Sequence, residues 1–176
     1  MSIFQFYPKV AYKVDNVDYI KAIDITTSIK IKDFFKTYRG ISFNPYVVKD
    51  GERPDYVSFK AYGTPMYDWI VLLVNEIYNI YDDWPKNTQT LNSYIEEKYG
   101  SVATAISTVQ YYYNLNNDII DQTTWQSLPT SQRKSETQYE YEFRRNINKS
   151  KIKLVKRDMI NAVDMSLKSI ISKPVL

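Results

Sequence analysis

Two prolines and the residues around them constrain this chain more than anything else in it. Asp50-Gly51 is a strong turn signal, and Pro54 follows where a helix accepts proline, at its first position, whose N–H has no helical partner. Asp55 then falls in the first turn, where negative charge meets the positive end of the helix dipole. Gly63 offers the left-handed residue that ends a helix, so this one is short. Thr64-Pro65 repeats the punctuation, a capping hydroxyl followed by proline. From Met66, the residues Trp69, Ile70, Leu73, Val74 and Ile77 fall at i+3, i+4, i+7, i+8 and i+11, one continuous helical stripe. Val71 and Leu72 make the opposite side apolar as well, so this helix is expected to be enclosed on more than one face and to form the core of the protein. Tyr46-Val47-Val48-Lys49 reads as a short strand before the helices, and a second strand is expected after them. The order is strand–helix–helix–strand.

Outside this stretch the pattern is weaker. Residues 1–24 are extended in character, with a turn at Asp15-Asn16. Ile25, Thr27, Ile29 and Ile31 alternate like a strand, but Phe34, Phe35 and Tyr38 fit a helix face, and a helix from about 28 to 38 ended by Gly40 is the preferred reading. Asn79 to Pro85 is an acidic turn, and a polar helix from about 90 to 99 is stopped by Gly100. Residues 102–115 stay open, although Val109, Tyr111, Tyr113 and Leu115 alternate, and 116–137 reads as loop with one helical turn near Trp125. Tyr139, Tyr141 and Phe143 alternate with Gln138, Glu140 and Glu142, the period of a half-buried strand. Ile152 and Leu154 alternate with Lys151 and Lys153, so a hairpin turning at Asn146–Ser150 is predicted. Asp158 is placed as the cap of a last helix bearing Ile160, Val163, Leu167, Ile170 and Ile171, ended by Pro174. The fold class is α+β: an N-terminal extension over 1–43, a core module over 44–88, and a C-terminal region over 89–176, with β-hairpin and terminal helix, packed with the core as one compact unit.

Composition narrows function mainly by exclusion. The 176 residues contain no Cys and no His, which removes disulfides, thiolate or imidazole nucleophiles, and His- or Cys-ligated metals. It also removes the commonest general base, so no catalytic residue, cofactor or metal site is expected. The longest uncharged apolar run, Trp69 to Val74, is far below the ~20 residues that span a bilayer, and the N-terminus lacks a signal-peptide pattern. A soluble protein made in the cytoplasm follows. Seventeen Tyr is an unusual number, and Tyr joins a large apolar face to a polar tip, the combination that protein interfaces enrich. Net charge is +3 but unevenly placed: nine Lys/Arg against three Glu from Arg133 to Arg157, and six acids against Lys86 from Asp68 to Glu97. Such patches suit electrostatic matching to neighbours, although solvated surface explains either as well.

Individual motifs point the same way. Gly51 and Gly63 lack the Lys-Ser/Thr signature of a phosphate loop and are backbone punctuation. Glu76, Asp82 and Asp83 could form a glycosidase pair, but nothing fixes their separation. Tyr139, Tyr141, Arg144, Arg145, Lys151 and Lys153 could face phosphates, but their aromatics sit at core-facing positions, so nucleic acid is not an expected partner. Trp69 belongs to the helical stripe. Trp84, in a turn beside Pro85, must cover its own module or a neighbour, and with Tyr78, Tyr81, Arg144 and Arg145 it makes the candidate interface.

Gly51-Glu52-Arg53-Pro54-Asp55, the step to Tyr62-Gly63 and Pro65, then Trp69-x-x-Leu72-Leu73-x-Asn75 and Asp83-Trp84-Pro85 together resemble the signature segment of the baseplate wedge protein fifty-three family of contractile-tailed bacteriophages. Tyr139-Glu140-Tyr141-Glu142-Phe143, Lys151-Ile152-Lys153-Leu154-Val155 and the terminal helix resemble its C-terminal pattern. A looser likeness, through Gly51, Gly63 and Asn75, is to LysM modules. The family resemblance implies a LysM-like core and a non-enzymatic subunit of the virion tail baseplate, assembled in the host cytoplasm. It implies joining of inner wedge components and tying of neighbouring wedges into a six-fold ring. The partners implied are the helical core-bundle wedge proteins and the lysozyme-like sheath-initiator subunit, with no membrane. The rival is a LysM-type module binding peptidoglycan or chitin, against which stand the lack of repeats and the long flanks.

Overall fold

The computed structural model describes residues 6–13, 20–24, 34 and 40–172. The helix expected over about 28–38 therefore lies outside the described residues except for Phe34, which is helical and buried, and the turn at Asp15-Asn16 and the stop at Pro174 also lie outside them. The fold is mixed helix and strand, as expected for α+β. Its contacts divide the chain into two compact units that do not follow sequence order. The first takes residues 1–47, 52–80 and 152–176; the second takes 48–51 and 81–151. Residues 44–88 thus contribute to both.

In the first unit, β1 (Lys9–Tyr12) and β2 (Ile20–Ile23) form an antiparallel hairpin in the register Lys9↔Ile23 to Tyr12↔Ile20. The punctuated segment folds as its residues dictate. β3 (Phe43–Val47) precedes α1 (Pro54–Tyr62), which opens on proline and closes on Gly63 in the left-handed region at φ 80°. Thr64 caps the next turn by accepting from Met66 N, and a 3-10 turn over Pro65–Tyr67 leads into α2 (Asp68–Val74). Buried Ser58 stitches this link, donating to Thr64 O at 2.7 Å and accepting from Tyr67 N at 3.2 Å.

Two expectations about α2 need correction. The stripe was carried to Ile77, but the helix stops at Val74, and Glu76 adopts a positive φ of 56° that turns the chain. The fully buried residues are Ile70 and Val71, adjacent in sequence, while Met66 is exposed and Trp69 only half-buried. A helix seven residues long cannot present a three-turn stripe, and packing selects Ile70 and Val71 for burial.

The strand that completes strand–helix–helix–strand does not follow directly. A four-residue helix, α3 (Ile80–Asp83), occupies the expected acidic turn. The strand paired with β3 is β7 (Lys151–Val155). Val48 N donates to Ser150 O and Lys156 N to Ser42 O, so the two strands run antiparallel. Along β7, Ile152 and Leu154 are buried and Lys151 and Lys153 exposed, the alternation read from the sequence. α8 (Ile160–Ile171) buries Ile160, Val163, Leu167 and Ile171. Its N-cap is Met159, without a side-chain bond, rather than Asp158.

The second unit contains α4 (Thr88–Tyr99), closed by Gly100 as expected, and α5 (Val102–Ser107). A three-stranded antiparallel sheet has the order β5 (Ile119–Ile120), β4 (Val109–Tyr113), β6 (Lys134–Thr137), and α6 (Gln122–Ser127) carries Trp125. Leu91, Ile95 and Ala105 form its buried centre, with Tyr94, Tyr99, Val102 and Tyr139 packed around them.

The predicted hairpin is overturned. Residues 139–143 lie in a helix, α7 (Gln138–Ser150), and the turn assigned to Asn146–Ser150 is that helix's last turn. A capping box fixes the start: Thr137 Oγ1 accepts from Glu140 N while Glu140 Oε2 accepts from Thr137 N. Aromatics at alternate positions also contain an i, i+4 pair, which shares a helix face. Tyr139 and Phe143 stack at 6.1 Å, and Tyr141, on another face, meets Tyr111 edge-on at 5.4 Å. The polar residues between them are helix formers, so nothing local resists the helix.

Candidate functional site

The signature residues of the first unit are fasteners of its fold. Asn75 stands at the end of α2 with its amide against β7: Nδ2 donates to Lys153 O at 2.8 Å and to Val71 O at 2.7 Å, while Oδ1 accepts from Lys153 N at 2.8 Å. One side chain therefore behaves as an extra ladder residue for the strand. Tyr62, the last residue of α1, donates its hydroxyl to Val155 O at 3.0 Å, and burial pushes its pKa up to about 12. Its ring meets Tyr67 edge-on, and Tyr67 donates to Asn161 at 2.8 Å. Gly63 is required by its backbone, and a Cβ there would also touch the Arg157 guanidinium at 3.4 Å. Pro54 and Pro65 open their helical turns. Arg53 and Asp55 lie 3.3 Å apart at the surface, a contact of little energetic weight. Gly51, in the second unit, takes the positive φ of its turn.

The candidate interface residues differ in exposure and in engagement. Trp84 is 7% exposed, so its indole is buried within the chain. Tyr78, in the first unit, and Tyr81, in the second, are 73% and 83% exposed. Arg144 is engaged, with Nε and Nη2 donating to the two oxygens of Glu136 at 2.5 and 3.0 Å. That guanidinium holds the Glu136 carboxyl below its ordinary range, helped by the Tyr113 hydroxyl, which donates at 2.8 Å. Arg145 is held loosely, 3.6 Å from Glu142, while Glu142 is taken at 2.6 Å by Lys98 and at 3.0 Å by Tyr99.

Sequence reading missed a second exposed pair. Tyr56 and Phe59, each 53% exposed, lie three apart on α1, on the side away from buried Val57 and Ser58. Their i, i+3 spacing was available as a signal. Lys60 rises beside them, 5.6 Å from the Tyr56 ring, and donates to Glu52 at 2.7 Å and to Tyr46 at 3.1 Å. These are aromatic and cationic groups on a solvent face, a composition suited to protein contact. Among the described residues no group of three acidic side chains is placed to hold a metal ion, and no helix is long and apolar enough to cross a membrane.

Against this geometry stand the comparisons with known proteins. The sequence profile of the base plate wedge protein 53 family matches residues 2–123. The match includes 100–123, where the sequence reading found no resemblance, and stops short of the C-terminal pattern at 137–171. The baseplate wedge protein gp53 of Enterobacteria phage T4 is 25% identical over 119 residues, which cover 66% of this chain and 60% of that protein.

Proposed function

From the premise that the chain belongs to the base plate wedge protein 53 family, a family of structural proteins and not of enzymes, we propose that it is a structural subunit of a phage tail baseplate. The match over residues 2–123 carries this reading. In it the protein resides in the virion tail, is assembled in the host cytoplasm, joins inner wedge components and ties neighbouring wedges into a six-fold ring. Its partners are the helical core-bundle subunits and the lysozyme-like sheath initiator.

Three physical features support an assembly role. The residues with the most specific geometry, Asn75 and Tyr62, spend their polar groups on backbone closure and leave none aimed at a small ligand. Tyr56, Phe59, Tyr78 and Tyr81 present large amphipathic rings to solvent, the residue type that anchors interfaces. Local charge of both signs provides for matching to neighbours, which sets register and encounter rate more than affinity.

The test is a tail-assembly assay in the phage that encodes the chain. A stop codon early in the reading frame should leave no sheathed, baseplate-bearing tails in electron micrographs. A Tyr56→Ser, Phe59→Ser double variant should keep its melting temperature and enter tails poorly. Intact tails assembled without the chain would refute the proposal.

A further inference from the structure

The second unit holds a cleft of about 180 Å3 between α4 and α7, with three cations on its walls: Lys86, Arg145 and Lys149. Their hydrogen bonds leave their charge largely in place. Lys149 Nζ donates to the main-chain oxygen of Asp82, and Lys86 Nζ to that of Tyr81, at 2.5 Å. A carbonyl satisfies an N–H without cancelling its charge. Arg145 shares Glu142 with Lys98, which holds that carboxylate more closely. Asp82 and Glu142 also line the cleft, which leaves one more cation than carboxylate on its walls, and Asp83 lies within electrostatic reach. Burial lowers the pKa of Lys149, and the charges of Lys86 and Arg145 lower it further, against the smaller opposing pull of Asp83 and Asp82.

We propose that this cleft is a docking recess for a single carboxylate side chain, Asp or Glu, presented by an acidic segment of a partner protein. The class of ligand follows from the walls. Ammonium and guanidinium groups supply the donors of charge-assisted hydrogen bonds, the strongest kind. Leu91 and the ring of Tyr94, with the Lys86 ammonium 5.5 Å from that ring, also line the cleft and suit the methylene stem of an acidic residue. A free phosphate would leave oxygens facing Leu91 without donors. A nucleic-acid backbone needs a row of exposed cations rather than a recess. The baseplate reading enters only in saying that the acid belongs to a neighbouring subunit; the recess itself is a property of the isolated chain.

The full-length chain should be titrated at low ionic strength with an acetylated hexaglutamate peptide, with hexaglutamine and with inorganic phosphate, following the lysine side-chain NMR signals. Hexaglutamate should bind saturably and move the titration of Lys149 upward, and hexaglutamine should do neither. Lys149→Met and Lys86→Met should each weaken binding about tenfold or more. Lys134→Met, on β6 and outside the cleft, should leave binding unchanged, and circular dichroism should show all three variants folded. Equal binding by the Lys149 and Lys86 variants, or a response to phosphate with none to hexaglutamate, would overturn the proposal. Neither result depends on tail assembly, so it fails or stands separately from the baseplate role.

Discussion

The first unit is closed by hydrogen bonds between residues 78 to 94 positions apart, and the second, within one nearly continuous stretch, by charge and ring contacts together with the Asn146 side chain, which pairs with both main-chain polar groups of Lys86. Asn75 reaches Lys153 across 78 positions, Tyr62 reaches Val155 across 93, and Tyr67 reaches Asn161 across 94. In the second unit Arg144 holds Glu136 eight positions away, Tyr111 packs on Tyr141, and Tyr112 on Trp125. The bonds of Asn75 and Tyr62 fix one backbone geometry, because each specifies a main-chain atom, while that of Tyr67 joins two side chains. The second unit leaves side chains at the surface, where their charge is still available to a neighbour. One chain thus carries a rigid clasp and an electrically active face.

The largest effect should come from the centre of the clasp. Ile70→Ala, at a fully buried site, should cost about 2–5 kcal/mol by lost burial and cavity formation. A denaturation midpoint within error of the parent would show that the first unit does not depend on α2.

Tyr62→Phe should cost less, about 1–2 kcal/mol for a buried hydroxyl bond whose carbonyl partner is left unpaired. Its alkaline behaviour is the sharper test. The folded pKa is raised to about 12, so the native state keeps a proton that the unfolded chain loses from about 10 upward. The contribution is complete below pH 10 and is lost as pH rises towards 12. The parent should lose stability over that window more steeply than the Phe variant, and parallel curves from thermal melts would remove Tyr62 from the clasp.

The smallest effect belongs to the second unit. Arg144→Ala should cost no more than about 1 kcal/mol, since the guanidinium is half exposed, and added salt should shrink the difference. Glu136 has a lowered pKa, so its contribution persists above the ordinary carboxylate range and fades only as pH falls below it. A loss comparable to Ile70→Ala would break the contrast between the two units.

The legible parts of the fold were those decided by local chemistry. Pro54, Gly63, Thr64 and Pro65 act through their own backbone and caps, and the structure places each where its chemistry requires. Gly100 belongs with them, whereas the alternation of Val109, Tyr111 and Tyr113, which by itself leaves the type open, falls in a strand. What depended on distant partners was not legible. Asn75 could be singled out as a signature residue, but its bond to Lys153 could not, because nothing local says which strand arrives. The choice of Ile70 and Val71 over Trp69 is likewise made by packing. The hairpin fails for a local cause: the period of Tyr139, Tyr141 and Phe143 fits a strand, but the capping box of Thr137 and Glu140 decides for helix. Of the candidate contact residues, Tyr78 and Tyr81 are exposed, Trp84 is not, and Tyr56 and Phe59 were overlooked. A fragment ending at residue 88 would leave β3 without its pairing strand.

Synthesis imposes a delay on such a chain. At about 5–20 residues per second, Asn75 is added roughly 4–16 s before Lys153, and its amide waits for that strand. The intervening stretch, Tyr81 to Lys151, is complete before the last strand emerges and can fold during the pause. A ribosome that stalls before Ile152 releases a product in which Asn75 lacks its Lys153 partner and β3 its pairing strand, which ties acceptance of the nascent protein to its being finished.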